Sequence, residues 1–158
     1  MKTRIITALV GIVVLIGVLF TFDTLVFNLV IAAITLLAIH EIYSALGFEK
    51  KDWLLYAVMV PHTLLIMLSS YQVCRRLVMP ASFLLVLFYA IYLVVRNGTI
   101  SFAKTSGLVM FSGIVMFCFY SFIRLKELLP VAEYGYDAIF FILLILCFAW
   151  GGDTCAYF

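Results

Sequence analysis

The decapeptide AWGGDTCAYF places Asp153 after fifteen residues, 138–152, that carry no charge. A carboxylate at the centre of a membrane-spanning helix costs about 2.5–3.5 kcal/mol, and less toward the interface. An acid in such a run therefore either marks function or has already left the apolar layer. On a helix, Trp150, Asp153, Thr154 and Tyr157 share one face at spacings of three and four. That face presents an indole, a carboxylate, a hydroxyl and a phenol, a set polar enough to line a hydrated cavity. Asp153 lies about 23 Å along such a helix from Ala138, past the midplane of a roughly 30 Å hydrocarbon core. Alternatively the helix ends at Gly152 and Asp153 is a solvated cap; the residue types alone leave both open.

The remaining polar groups inside apolar runs point more toward structure. His40 and Glu41 fall about 23 to 24 Å along a helix that starts at Leu25, near a loop whose Lys50 and Lys51 can meet the charge of Glu41. His62 follows Pro61, and a proline inside a helix frees a carbonyl that a neighbouring side chain can satisfy. Arg75, Arg76, Arg124 and Lys126 suit topology anchors, or contacts to anionic headgroups at about 1 kcal/mol per charge. Cysteines at 74, 118, 147 and 155 show no C-x-x-C pair and no nearby histidine cluster, so they indicate neither a zinc site nor a disulfide framework.

The elements that must carry these residues follow from composition. With 67% hydrophobic and 11% charged residues, and a mean hydropathy of +1.26, the chain holds more apolar surface than a water-soluble domain can bury. A bilayer takes up that surface, and a net charge of +2 is too small to argue for nucleic acid. The charges divide the sequence into an all-α, multi-pass transmembrane helix bundle of about six spans, in a single domain. The first runs from Ile5 to Phe22 and turns at Asp23-Thr24 into a second from Leu25 to Leu46. The third runs from Trp53 to Tyr71, the fourth from Leu77 to Val95, the fifth from Ser106 to Ile123, and the sixth starts near Ala138. The first is read as a retained span, because it is long for a signal peptide and no small-residue cleavage site follows it. Six Lys and Arg (2, 4, 50, 51, 96, 104) then face four (75, 76, 124, 126), which favours both termini in the cytoplasm. Trp53, Tyr56, Tyr71, Tyr134, Tyr136 and Trp150 fall near span ends, at headgroup depth.

The run Trp150-Gly151-Gly152-Asp153-Thr154-Cys155-Ala156-Tyr157 resembles the G-D-x-x-A-Y motif of the phosphatidate cytidylyltransferases, the CDP-diacylglycerol synthases. The start Lys2-Thr3-Arg4-Ile5-Ile6-Thr7-Ala8 and the pair His40-Glu41 also resemble bacterial members of that family. The resemblance covers residues 1–158 as an amino-terminal portion. The family's later signatures, a Ser/Lys-Arg/Lys-Asp element, a His-Gly-Gly and an Asp-Arg-x-Asp, do not occur before Phe158, so the expectation is a fragment without the carboxy-terminal catalytic half, inactive alone.

The resemblance implies condensation of CTP with phosphatidic acid to CDP-diacylglycerol and pyrophosphate, in the cell (inner) membrane and with magnesium. Two polyanions must meet, and a divalent cation with cationic groups offsets their repulsion. Magnesium takes one or two carboxylates, which makes Asp153 the candidate catalytic carboxylate and metal ligand or its neighbour. Tyr157 and Thr154 are candidate substrate contacts, with an interfacial anchor as the alternative for Tyr157. A homodimer is left open. Rival expectations are a CTP-dependent polyprenol or lipid kinase, a non-catalytic membrane module, and a transporter. The last is poorly supported by the Pro61 interruption without an internal repeat.

Overall fold

The computed structural model describes residue 11 and residues 13–96 and 99–157, without the side chains of residues 153, 154, 156 and 157. Helical residues 13–20 (α1) lead through a turn into α2 (Leu25–Ala45), a short 3-10 turn (Lys50–Asp52), α3 (Trp53–Met67), α4 (Gln72–Val95), α5 (Phe102–Leu128), the one-turn α6 (Val131–Tyr134) and α7 (Asp137–Tyr157). No strand occurs among the described residues. The first part of the expected first span, residues 5–10 and 12, lies outside them.

The turn expected at Asp23-Thr24 is built by threonines. The Thr24 hydroxyl donates to the Thr21 carbonyl at 2.7 Å and accepts from the Val26 N–H at 3.2 Å, which caps the exposed donors at the start of α2.

Among the described residues three helices, α2, α4 and α5, are long and apolar enough to cross a membrane by length and composition, where the sequence suggested six spans. The third expected span is the clearest difference. α3 holds 15 residues, about 22 Å against a roughly 30 Å core, and stops at Met67 instead of reaching Tyr71. The stop has a physical cause. Ser69 and Ser70 follow, residues that favour turns, and Asn28 Nδ2 from α2 donates to the Met67 carbonyl at 2.9 Å and to Ser70 Oγ at 3.2 Å. One of the carbonyls left without a partner at the end of α3 is thereby satisfied. The other boundaries differ outward. α4 begins at Gln72, ahead of Leu77, and α5 runs from Phe102 to Leu128, past both expected ends. Lys and Arg are good helix formers whose stems extend along apolar surface, so a charge marks the membrane boundary better than it marks the end of a helix.

The chain divides into two compact units. In the unit of residues 28–123, α3 packs along α4, and Ile39, Leu55, Met59, Leu85, Tyr89, Leu108 and Met116 form its core. Several polar groups inside it bond within the unit, whereas the buried Ser69 and Ser112 hydroxyls have no hydrogen-bond partner among the described residues. Tyr89 Oη donates to the Leu55 carbonyl at 2.6 Å, Thr35 Oγ1 to the Ile31 carbonyl at 2.7 Å, and Thr63 Oγ1 to the Met59 carbonyl at 2.8 Å. The outside is apolar: Met79, Phe83 and Phe117 are exposed.

The other unit comprises residues 1–27 and 124–158. Phe22 and Phe27 meet edge to face with centroids 4.9 Å apart, and Ala138 and Ile142 of α7 are buried. Lys126 Nζ donates to the Thr24 carbonyl at 2.9 Å, while Arg124 pairs with Glu127 one turn on. These contacts give two of the expected topology anchors definite partners.

Candidate functional site

α7 is the element that carries the sequence-derived site. It opens at Asp137, whose charge suits a helix N-terminus, after Gly135 turns the chain at a φ of 57° that favours glycine. The helix then runs through Gly151-Gly152 to Tyr157 without a break. Asp153 is therefore in the helix, not beyond its end, and the register of Trp150, Asp153, Thr154 and Tyr157 on one face is preserved in the backbone. The side chains of Asp153, Thr154 and Tyr157 lie outside the described residues. The Trp150 ring on the same face is half exposed.

The two glycines sharpen what this turn can hold. Each costs a helix interior about 0.5–1 kcal/mol relative to alanine. Close packing does not explain them, because a methyl added at either would touch nothing within 4 Å among the described residues. The turn preceding Asp153 thus has bare backbone and open space beside it, room in which a bulky group can approach a carboxylate.

The other candidates resolve into structural roles. The exposed His40 ring stands edge-on to Tyr56, centroids 5.4 Å apart, and Glu41 is exposed. The lysine expected near Glu41 is engaged elsewhere: Lys51 Nζ lies 2.8 Å from Glu49 Oε2. That hydrogen bond and the ammonium charge hold the Glu49 carboxyl below its ordinary value and the Lys51 ammonium above its own. His62 is buried on α3, with Nε2 at 3.4 Å from Ser82 Oγ on α4. Because the Ser82 hydroxyl donates to the Val78 carbonyl at 2.7 Å, the bond from His62 to Ser82 is best assigned as Nε2–H donating. His62 is thus a link between α3 and α4, not an answer to the carbonyl freed by Pro61. Arg75 Nε donates to the Ser69 carbonyl at 3.1 Å in the turn between the same helices.

Sequence reasoning missed Asn28. A lone Asn in the apolar first turns of α2 was its only signal, and nothing in the sequence names the end of α3 as its partner. No group of three or more His, Cys, Asp or Glu side chains that could hold a metal occurs among the described residues. Asp153, as a hard oxygen donor of the type magnesium prefers, fits as one ligand of such an ion and not as a complete site.

Residues 2–158 match the sequence profile of the cytidylyltransferase family. No curated protein and no solved structure matches the chain.

Proposed function

Because the chain belongs to the cytidylyltransferase family, we propose that it serves the transfer of the cytidylyl group of CTP to phosphatidic acid in a cell membrane, with Asp153 at the reacting phosphates. A phosphate oxygen of the lipid attacks the α-phosphorus of CTP, a new P–O–P bond forms, the bond between the α- and β-phosphates breaks, and pyrophosphate leaves. Magnesium, when bound, offsets charge on the phosphates. Asp153 supplies one carboxylate toward it, and Thr154 and Tyr157, on the same helix face, are the groups we assign to donate to phosphate oxygens. The bare Gly151-Gly152 turn leaves the approach to Asp153 open.

The observation that carries this reading is the family match combined with an α7 that remains helical through Asp153. It accounts for an acid and two glycines, all unfavourable for an apolar spanning helix, in one short stretch. The membrane setting is supported by α2, α4 and α5. If the chain crosses six times, as the spacing of its charges suggests, the basic-residue count of six against four favours both termini in the cytoplasm.

The test is incubation of the purified full-length natural protein containing residues 1–158 with α-labelled CTP, magnesium and either phosphatidic acid or a polyprenol in mixed micelles. Labelled CDP-diacylglycerol in the first arm alone is expected. Phosphorylated polyprenol with release of CDP would replace the reading by a lipid kinase, and no product in either arm would remove it.

A further inference from the structure

Two adjoining cavities of the 28–123 unit have no part in the reading above. The first is a groove of about 710 Å³ between the last third of α4 and the first third of α5. Val86, Ala90, Val94, Val109 and Met110 give it apolar walls. The second is a cup of about 190 Å³ formed where the loop before α3 meets the link before α5. Glu49, Lys51, Asp52, Thr99, Ser101 and Lys104 make it polar. Ile100 lines both. Their placement along the helices matters: α2, α4 and α5 are, among the described residues, the helices long and apolar enough to cross a membrane, the groove follows two of them inward, and the cup sits at their ends. An acyl chain and a headgroup meet a protein at those two depths.

The charges of the cup select among headgroups. Two carboxylates stand with two ammonium groups. Lys51 Nζ is 2.8 Å from Glu49 Oε2 and Lys104 Nζ donates to the Gly47 carbonyl at 3.0 Å. An ammonium carries three N–H donors, so both lysines retain donors for a phosphate, and the Ser101 hydroxyl adds another. A headgroup with phosphate alone would meet Glu49 and Asp52 as like charges. A quaternary ammonium has no N–H to give them. A headgroup carrying both a phosphate and a primary ammonium matches each half of the cup.

We propose that the α4–α5 groove and the Glu49/Lys104 cup together bind one phospholipid with a primary-amine zwitterionic headgroup of the phosphoethanolamine type. The acyl chain lies along Ala90 and Val109, the phosphate meets Lys104 and Ser101, and the ammonium meets Glu49. This site is independent of cytidylyl transfer and stands or falls without it.

The experiment is native mass spectrometry of the protein released from phosphatidylcholine nanodiscs doped with equal amounts of phosphatidylethanolamine and phosphatidylglycerol. Wild type should retain phosphatidylethanolamine above its share of the bilayer. Glu49→Gln and Lys104→Ala should each reduce that enrichment by roughly two- to fivefold, the range an exposed ion pair supports. Ala90→Trp, which fills the groove from an exposed position, should lower retention of all three lipids alike. Retention in proportion to bilayer composition, preference for phosphatidylglycerol, or cup variants that retain lipid as wild type does would each overturn the proposal.

Discussion

In the unit of residues 28–123 three polar side chains reach across to a neighbouring helix: Asn28 to Met67, Tyr89 to Leu55, His62 to Ser82. On α7, in the other unit, a methyl added at Gly151 or Gly152 would touch nothing within 4 Å among the described residues, and the acid after them follows fifteen uncharged residues. Where a polar group is answered inside the protein it stabilises the bundle, and the function proposed above assigns the acid and glycines of α7 to what the segment binds. Substitutions in the first region should therefore cost stability and leave chemistry to follow the amount of folded protein. Those on the last turns of α7 should do the reverse.

Ranked by their cost in stability, substitutions can break that contrast. Ile39→Ala removes a fully buried side chain from the core around Leu55 and Leu108 and should destabilise by about 2–5 kcal/mol, read as loss of the folded fraction in a detergent-denaturation series. Asn28→Ala leaves the Met67 carbonyl and Ser70 hydroxyl without this donor, at about 1–2 kcal/mol. Faster amide exchange confined to residues 66–72 would be its signature, and unchanged exchange there would break the account of why α3 stops. Tyr89→Phe loses only the hydroxyl bond to Leu55, whose carbonyl keeps its place in α3, and should cost about 1 kcal/mol or less.

The smallest effect belongs to the exposed loop. Lys51→Ala removes the partner of Glu49, and the melting temperature should not move measurably, because both side chains are solvated. The pH dependence has opposite signs at the two partners. The lowered Glu49 value gives a contribution present above the ordinary carboxylate pKa and lost as pH falls through the folded value. The raised Lys51 value gives one present below the ordinary lysine pKa and lost as pH rises through the folded value. A flat melting temperature between those limits, in wild type and variant, is expected.

How far the fold could be read from the sequence varies by element for physical reasons. The start of α2 at Leu25, of α3 at Trp53 and of α7 near Ala138 follow from where a long apolar run meets a polar turn. The end of α3 could not be read this way, because Leu68 continues the apolar run and the stop is fixed by Asn28, 39 residues away. The start of α4 is hidden by Arg75 and Arg76, whose charges interrupt the apolar run although both lie within the helix. For the site, the motif around Asp153 located the element and the face, and α7 keeps that face intact. Spacing along one helix cannot supply the partners of an active carboxylate, which come from contacts distant in sequence.

The most direct test is the rate of CDP-diacylglycerol formation against magnesium concentration for wild type and Asp153→Asn of the full-length natural protein, normalised to inserted protein. An amide fills the same volume and is no harder to bury than a carboxylate, so insertion and yield should match wild type. The rate should fall by about 10²-fold or more, as when a charge-stabilising group is removed from a water-screened site. A near-wild-type rate at saturating CTP and phosphatidic acid would contradict the account, since Asn serves as well as Asp as a helix cap, and so would a fall that tracked the loss of inserted protein.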